Sequence, residues 1–220
     1  IKVYMTGLVI FDLDGTLLNT IDDLAISTNY ALSRCGFPEH DKSEYPYFVG
    51  NGINKLFERA LPEGERTSEN IAYMRRYFLD YYSDHNTDYT VPYPGITVLL
   101  SQLVSRGISL AVASNKYQEG TTKLINHYFG ALPFAAVFGQ REGVPPKPDP
   151  AIINDILRKT GIRNKANVLY VGDSGVDMRT ARNAGLRSVG VTWGFRSQTE
   201  LRENGADVLA GKPEDILRFL

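Results

Sequence analysis

The chain has 220 residues, of which 43% are hydrophobic and 22% charged, enough for one full α/β domain with a smaller one beside it. A net charge of −1 leaves no electrostatic footprint for nucleic acid, and no apolar run approaches the length that spans a bilayer. The single cysteine, Cys35, excludes an internal disulfide and a multi-cysteine zinc site; it reads as a small buried helix residue rather than a reactive thiol. The stretch Ile1 to Thr6 is too short and too mixed for a signal peptide, so a cytoplasmic address is expected.

Leu8-Val9-Ile10-Phe11 is a continuous apolar run, the pattern of a central parallel strand, and it ends in Asp12-Leu13-Asp14-Gly15. Between about Leu18 and Thr90 the strand signal disappears. Ile21, Leu24, Ala25, Thr28, Ala31 and Leu32 share one helical face; Ile53, Leu56, Phe57 and Ala60 form a second; Ile71, Met74, Phe78, Tyr81 and Tyr82 form a third. Residues 18–90 are therefore expected to be an all-helical cap domain over the sheet's C-terminal edge, returning through Pro92 to Pro94. The alternative is one more helical layer on a single core. Many of the 13 tyrosines lie in or beside this segment, where they suit either a dimer surface or the cap's own core, so both a monomer and a homodimer fit.

Beyond residue 91, strand and helix alternate. Strands are expected at Ile108–Ala113, Ala135–Phe138, Val168–Val171 and Ser188–Val191, and helices at Ile96–Ser105, Glu119–Phe129, Ala151–Thr160 and Val176–Ala184. Gly107, Gly130, Gly161 and Gly185 stand at or just past four helix ends, where a left-handed residue is wanted. The alternation predicts an α/β fold with a doubly wound, Rossmann-like parallel sheet, built from residues 1–17 and 91–220.

The chemistry sits where strands end. Asp12 and Asp14 are two apart, so an extended backbone aims both carboxylates toward one face, at the strand end where open α/β sheets bind ligands. One could attack phosphorus while the other protonates the leaving oxygen and later deprotonates water. Asp173 and Asp177 flank Ser174-Gly175 after another strand. With Asp12 they form an oxygen-rich cluster without histidine or thiol, which suits Mg²⁺; helix capping by Asp173 or Ser174 is compatible with that role.

Lys147 lies in Pro145-Pro146-Lys147-Pro148-Asp149-Pro150, whose prolines restrict the backbone and suit a held neutraliser of phosphate charge. Asp149 and Pro150 read as the N-cap and first residue of the next helix. Ser114-Asn115 offers a hydroxyl and an amide to phosphate oxygens, and is equally ordinary turn chemistry. Gly50-Asn51-Gly52 suits a loop reaching down onto substrate as well as a plain turn between helices. Lys116 and Arg141, also near strand ends, are left unassigned.

Four motifs in chain order, Phe11 to Leu17, Ser114-Asn115, Lys147 and Gly172 to Asp177, resemble the haloacid dehalogenase superfamily over essentially the whole chain. The resemblance implies Asp12 as nucleophile, Asp14 as general acid/base, and Ser114, Asn115 and Lys147 around the phosphate. It further implies Mg²⁺ on Asp12, the Asp14 carbonyl and Asp173, supported by Asp177, with the helical insert as cap. Asp14 is present where the namesake dehalogenases lack a second aspartate, which points away from carbon–halogen chemistry.

Val49-Gly50-Asn51-Gly52 with Leu56-Phe57-Glu58-Arg59-Ala60-Leu61 is similar to phosphoglycolate phosphatases. So are Asp22-Asp23-Leu24-Ala25 and the Pro94-Gly95-Ile96 helix start. The likeness implies a small phosphorylated metabolite, 2-phosphoglycolate, as substrate, with Gly50, Asn51 and Gly52 as the cap's substrate loop. Alternatives are a pyrophosphatase, a β-phosphoglucomutase-like transferase, and a catalytically silent ligand-binding member.

Overall fold

The run Leu8–Phe11 forms a strand, β1, buried along its whole length and paired in parallel on both sides, which is why all four residues are apolar. The structure, a computed structural model, describes residues 6–220; most of the stretch read above for a leader, residues 1–5, lies outside the described residues. A short strand β2 (Leu18–Asn19) leads into helices α1 (Ile21–Arg34), α2 (Tyr45–Phe48), α3 (Ile53–Ala60) and α4 (Ser68–His85), and the chain returns through β3 (Val91–Pro92), antiparallel to β2. Then follow α5 (Ile96–Ser105), β4 (Ser109–Tyr117), α6 (Gln118–Phe129), β5 (Phe134–Gln140), α7 (Ala151–Thr160) and β6 (Val168–Gly172). Then come α8 (Gly175–Ala184), β7 (Arg187–Val191), α9 (Gln198–Glu203), β8 (Val208–Ala210) and a closing 3₁₀ helix over Pro213–Arg218.

Six strands form one parallel sheet in the order β5-β4-β1-β6-β7-β8. The strand order turns back at β1: β4 and β5 lie on one side of it, β6 to β8 on the other. That reversal opens a crevice at the strands' C-terminal ends. The two-residue pleat sorts β1 between two cores. Val9 and Phe11 meet Leu99, Leu103 and Leu124 on the face covered by α5 and α6, while Leu8 and Ile10 meet Ile153 and Ile156 on the face covered by α7.

The helical insert has an apolar cluster of its own. All three expected stripes converge there: Leu24 and Leu32 of α1, Leu56 and Phe57 of α3, and Met74, Phe78 and Tyr82 of α4. The Phe78 ring meets Phe57 edge-on at 5.3 Å and stacks on Tyr82 at 4.9 Å. Among the described residues no helix is long and apolar enough to cross a membrane.

Five local expectations differ from what is found. Cys35 is half-buried and stands just past α1 as its C-cap, its N–H donating to the Ala31 and Leu32 carbonyls. β4 continues past Ala113 to Tyr117, so Ser114 and Asn115 lie in the strand's last residues; pairing with β5 resumes at Tyr117–Gln140 after a register shift. Gly130 is right-handed at φ −60°, unlike Gly107, Gly161 and Gly185 at +74°, +70° and +70°. Its lack of a side chain serves contact instead, because a Cβ there would strike the Asn126 carbonyl. The α7 cap is displaced by one: Pro150 is the N-cap, and Asp149 Oδ1 accepts from the Ala151 N–H at 2.8 Å. Edge strand β8 and helix α9 were not expected, being too short to show a period.

Candidate active site

Asp12 leaves β1 with its N–H donating to Val171 O at 2.9 Å, which holds it in line with the sheet. Asp14 follows in the turn; its Oδ1 accepts from the Thr20 hydroxyl at 2.7 Å and from Lys116 Nζ at 3.2 Å. Gly15 adopts φ +87°, and a Cβ there would run into the Asp173 carboxylate, so the turn admits only glycine on two counts. Asp173, just past β6, is held at both oxygens: Oδ1 accepts from the Thr16 hydroxyl at 3.1 Å, and Oδ2 from the Phe195 N–H at 2.8 Å.

Asp177 combines capping with the site. Ser174 caps α8, and its N–H and hydroxyl donate to Asp177 Oδ2 at 3.1 and 2.6 Å. The other oxygen, Oδ1, accepts from Lys147 Nζ at 2.7 Å and from the Tyr170 hydroxyl at 3.0 Å.

Lys147, on the loop between β5 and α7, is buried with its ammonium 2.9 Å from Asp12 Oδ1 and 2.9 Å from the Ala113 carbonyl. Its backbone is clamped by Asn115, whose Oδ1 accepts from the Lys147 N–H at 2.8 Å and whose Nδ2 donates to its carbonyl at 3.2 Å. Burial works against the lysine's charge, but Asp12 and Asp177 outweigh it and hold the pKa well above the ordinary lysine value.

The acids are under-neutralised. Burial, then repulsion from Asp177 and Asp173, pushes Asp12 well above the usual carboxylate range against the pull of Lys147. Burial and Asp177 raise Asp173 to about 7 despite its bonds from Phe195 and Thr16. Asp12, Asp173 and Asp177 each bring an oxygen within 4.8 Å of the others, with one ammonium among them. Each Asp177 oxygen already accepts two hydrogen bonds, whereas each Asp173 oxygen accepts one and Asp12 Oδ1 pairs with Lys147, so Asp12 and Asp173 are the pair with capacity for a cation. An all-oxygen set short of positive charge fits a hard divalent ion such as Mg²⁺.

A cavity opens above these acids, with Asp12, Asp14, Ser114 and Lys116 on its floor. Leu24, Ile53, Leu56 and Phe78 of the insert form an apolar roof, and Gly50 and Gly52 its near edge. Two core side chains hold this loop by successive carbonyls: Arg196 Nη2 donates to Val49 O at 2.8 Å, and Asn115 Nδ2 to Gly50 O at 3.1 Å.

Of the loop residues singled out from sequence, the two glycines face the cavity, while the Asn51 amide is turned to Arg59 Nη2 at 2.8 Å. Asn115 lines the cavity, yet its amide is engaged with Lys147 and Gly50. Arg141 pairs with Asp155 at 2.7 Å and stacks on Phe138, outside the cavity wall. Thr20, Tyr170 and Arg196 were not singled out. Tyr170 alone carried a signal, a hydroxyl inside the otherwise apolar run Val168–Val171.

Residues 9–191 match the family described as haloacid dehalogenase-like hydrolase, and the chain belongs to that family. Within it the protein is similar to the phosphoglycolate phosphatase of Mesorhizobium japonicum, 34% identical over 190 residues that cover 86% of this chain and 83% of the relative. The phosphoglycolate phosphatase of Neisseria meningitidis serogroup A is 34% identical over 201 residues, covering 90% and 85%. The crystal structure of a predicted phosphoglycolate phosphatase from Haemophilus somnus superposes with a TM-score of 0.89 at 30% identity, covering 97% of each chain.

Proposed function

We propose that this hydrolase is a Mg²⁺-dependent phosphatase acting on 2-phosphoglycolate through an aspartyl-phosphate on Asp12. The observation that carries this reading is the placement of Asp12 and Asp14 on one cavity floor, with Lys147 Nζ 2.9 Å from Asp12 Oδ1. An Asp12 oxygen attacks phosphorus and the P–O bond to the ester oxygen breaks. Asp14 gives its proton to that oxygen, releasing the alcohol, then takes a proton from the water that attacks the phosphorylated Asp12. Inorganic phosphate leaves and both carboxyl groups return to their starting states.

Ser114 Oγ accepts from the Lys116 N–H at 3.1 Å, which leaves its own proton for a phosphoryl oxygen. Lys147 offsets charge on Asp12 and the phosphoryl group, and Asn115 fixes the loop that carries it. The Asp12 and Asp173 side chains with the Asp14 carbonyl would hold Mg²⁺, which supplies charge neutralisation; Asp177 supports Lys147. Residues 18–90 act as the cap domain that excludes bulk water from the cavity.

Steady-state hydrolysis of 2-phosphoglycolate, pyrophosphate and β-glucose 1-phosphate, each with and without Mg²⁺, tests the reading. A kcat/KM for 2-phosphoglycolate well above the others, lost on chelation, is the expected result. Equal slow rates on all three would remove the substrate assignment and keep the chemistry.

A further inference from the structure

We propose that Lys116 determines specificity by pairing with a carboxylate carried a bond or two beyond the ester oxygen of the substrate. The inference rests on the reading above and names what in this chain recognises the acid end of 2-phosphoglycolate. Lys116 and Ser114 are two apart near the end of β4, and both reach the cavity floor.

The Lys116 side chain is only 4% exposed, a state that lysine reaches with partners. Its partners are Asp14 Oδ1 at 3.2 Å and the face of Tyr82, whose centroid lies 4.7 Å from Nζ. An ammonium has three donors, and these two contacts leave capacity for another acceptor. The other buried ammonium, Lys147, is committed to Asp12, Asp177, the Tyr170 oxygen and the Ala113 carbonyl.

The insert offers no competing cation. Its share of the cavity wall is Leu24, Val49, Ile53, Leu56, Phe78 and two glycines, all uncharged. Among the described residues, Lys116 is the one cation on that wall. Because Asp14 serves the leaving oxygen, a charge one hydrogen bond past Asp14 meets whatever is attached close to that oxygen. A carboxylate on the adjoining carbon satisfies Lys116. A methyl group leaves it without the partner, and an ammonium is repelled. Under an apolar roof these differences exceed their value in water.

The test compares wild type with K116M and K116R on 2-phosphoglycolate, ethyl phosphate, which lacks the carboxylate, and phosphoethanolamine, which carries a cation in its place. Melting curves establish folding, and K116Q replaces K116M if the latter does not fold. In wild type, kcat/KM should favour 2-phosphoglycolate over ethyl phosphate by about 100-fold, the scale of a charged hydrogen bond. K116M should remove most of that ratio, losing far more on 2-phosphoglycolate than on ethyl phosphate, and K116R should restore much of it. Equal losses on both substrates would reduce Lys116 to a support for Asp14 and overturn the proposal. If wild type itself does not discriminate, the 2-phosphoglycolate reading falls as well. If K116M still discriminates, that reading stands and Lys116 is removed from it.

Discussion

At the residue scale, the candidate site is a problem of crowded negative charge solved by fixed partners. Asp12, Asp173 and Asp177 share one ammonium, while Thr16 and the Phe195 N–H donate to Asp173, and Ser174 and Tyr170 to Asp177. Asp12→Asn keeps the shape, removes the attacking oxygen, and relieves a carboxylate that burial and its neighbours disfavour. Turnover should fall at least about a thousandfold, while the melting temperature of the metal-free variant stays equal to or above that of wild type. Substantial residual turnover would count against Asp12 as nucleophile.

Gly15→Ala tests the turn. It places a methyl group against the Asp173 carboxylate at φ +87° and should cost about 1–3 kcal/mol in urea unfolding, together with activity. Wild-type stability and activity in that variant would show that the turn relaxes freely. The acids and Lys147 were legible in sequence because each interrupts or ends an apolar run. Thr20 and the bond from Thr16 to Asp173 were not, since threonine beside a turn has many ordinary uses and only the fold brings Thr16 to Asp173, 157 residues away.

At the scale of elements, the loop between α2 and α3 joins insert and core through its backbone. Arg196 and Asn115 reach the carbonyls of Val49 and Gly50, so the contact is blind to the side chains at 49 and 50. Gly52 at φ +85° would bring a Cβ to 3.4 Å from the Asn115 carbonyl. Gly52→Val puts a β-branched residue at φ +85°, ψ 167°, a backbone region open essentially to glycine alone, so it should displace the loop, lower kcat/KM about tenfold or more and cost about 1–3 kcal/mol in urea unfolding. Activity at the wild-type level would show that the loop does not need this close approach.

α5 and α7 took the expected bounds because Pro94-Gly95 and Asp149-Pro150 mark their starts and Arg106-Gly107 and Gly161 their ends. β4 outran its apolar pattern because its last four residues, Ser114 to Tyr117, are polar or amphipathic yet buried or half-buried. Sequence periodicity reports burial against carbon, and these residues are buried against charge.

At the scale of the whole molecule, the acid cluster sets how stability responds to pH and to metal. The parallel sheet was legible because its strands end in the same kind of polar break, whereas the coupling among those breaks appears only when β1 and β6 lie side by side. Asp173 has a folded pKa of about 7, above its unfolded value of roughly 3.9, and Asp12 is raised as well. Between those values the native state binds more protons than the unfolded chain, so stability of the metal-free protein falls as pH rises from about 4 to about 7. Above that window the unfavourable contribution is fully present.

A divalent cation bound by the same carboxylates favours their ionised forms and stabilises the native state by mass action. Millimolar Mg²⁺ should therefore raise the melting temperature clearly at pH 8 and little at pH 5, and Asp173→Asn should abolish the rise. The same melting temperature with and without Mg²⁺ at pH 8 would mean that these carboxylates do not hold the ion, whatever the fate of the substrate assignment.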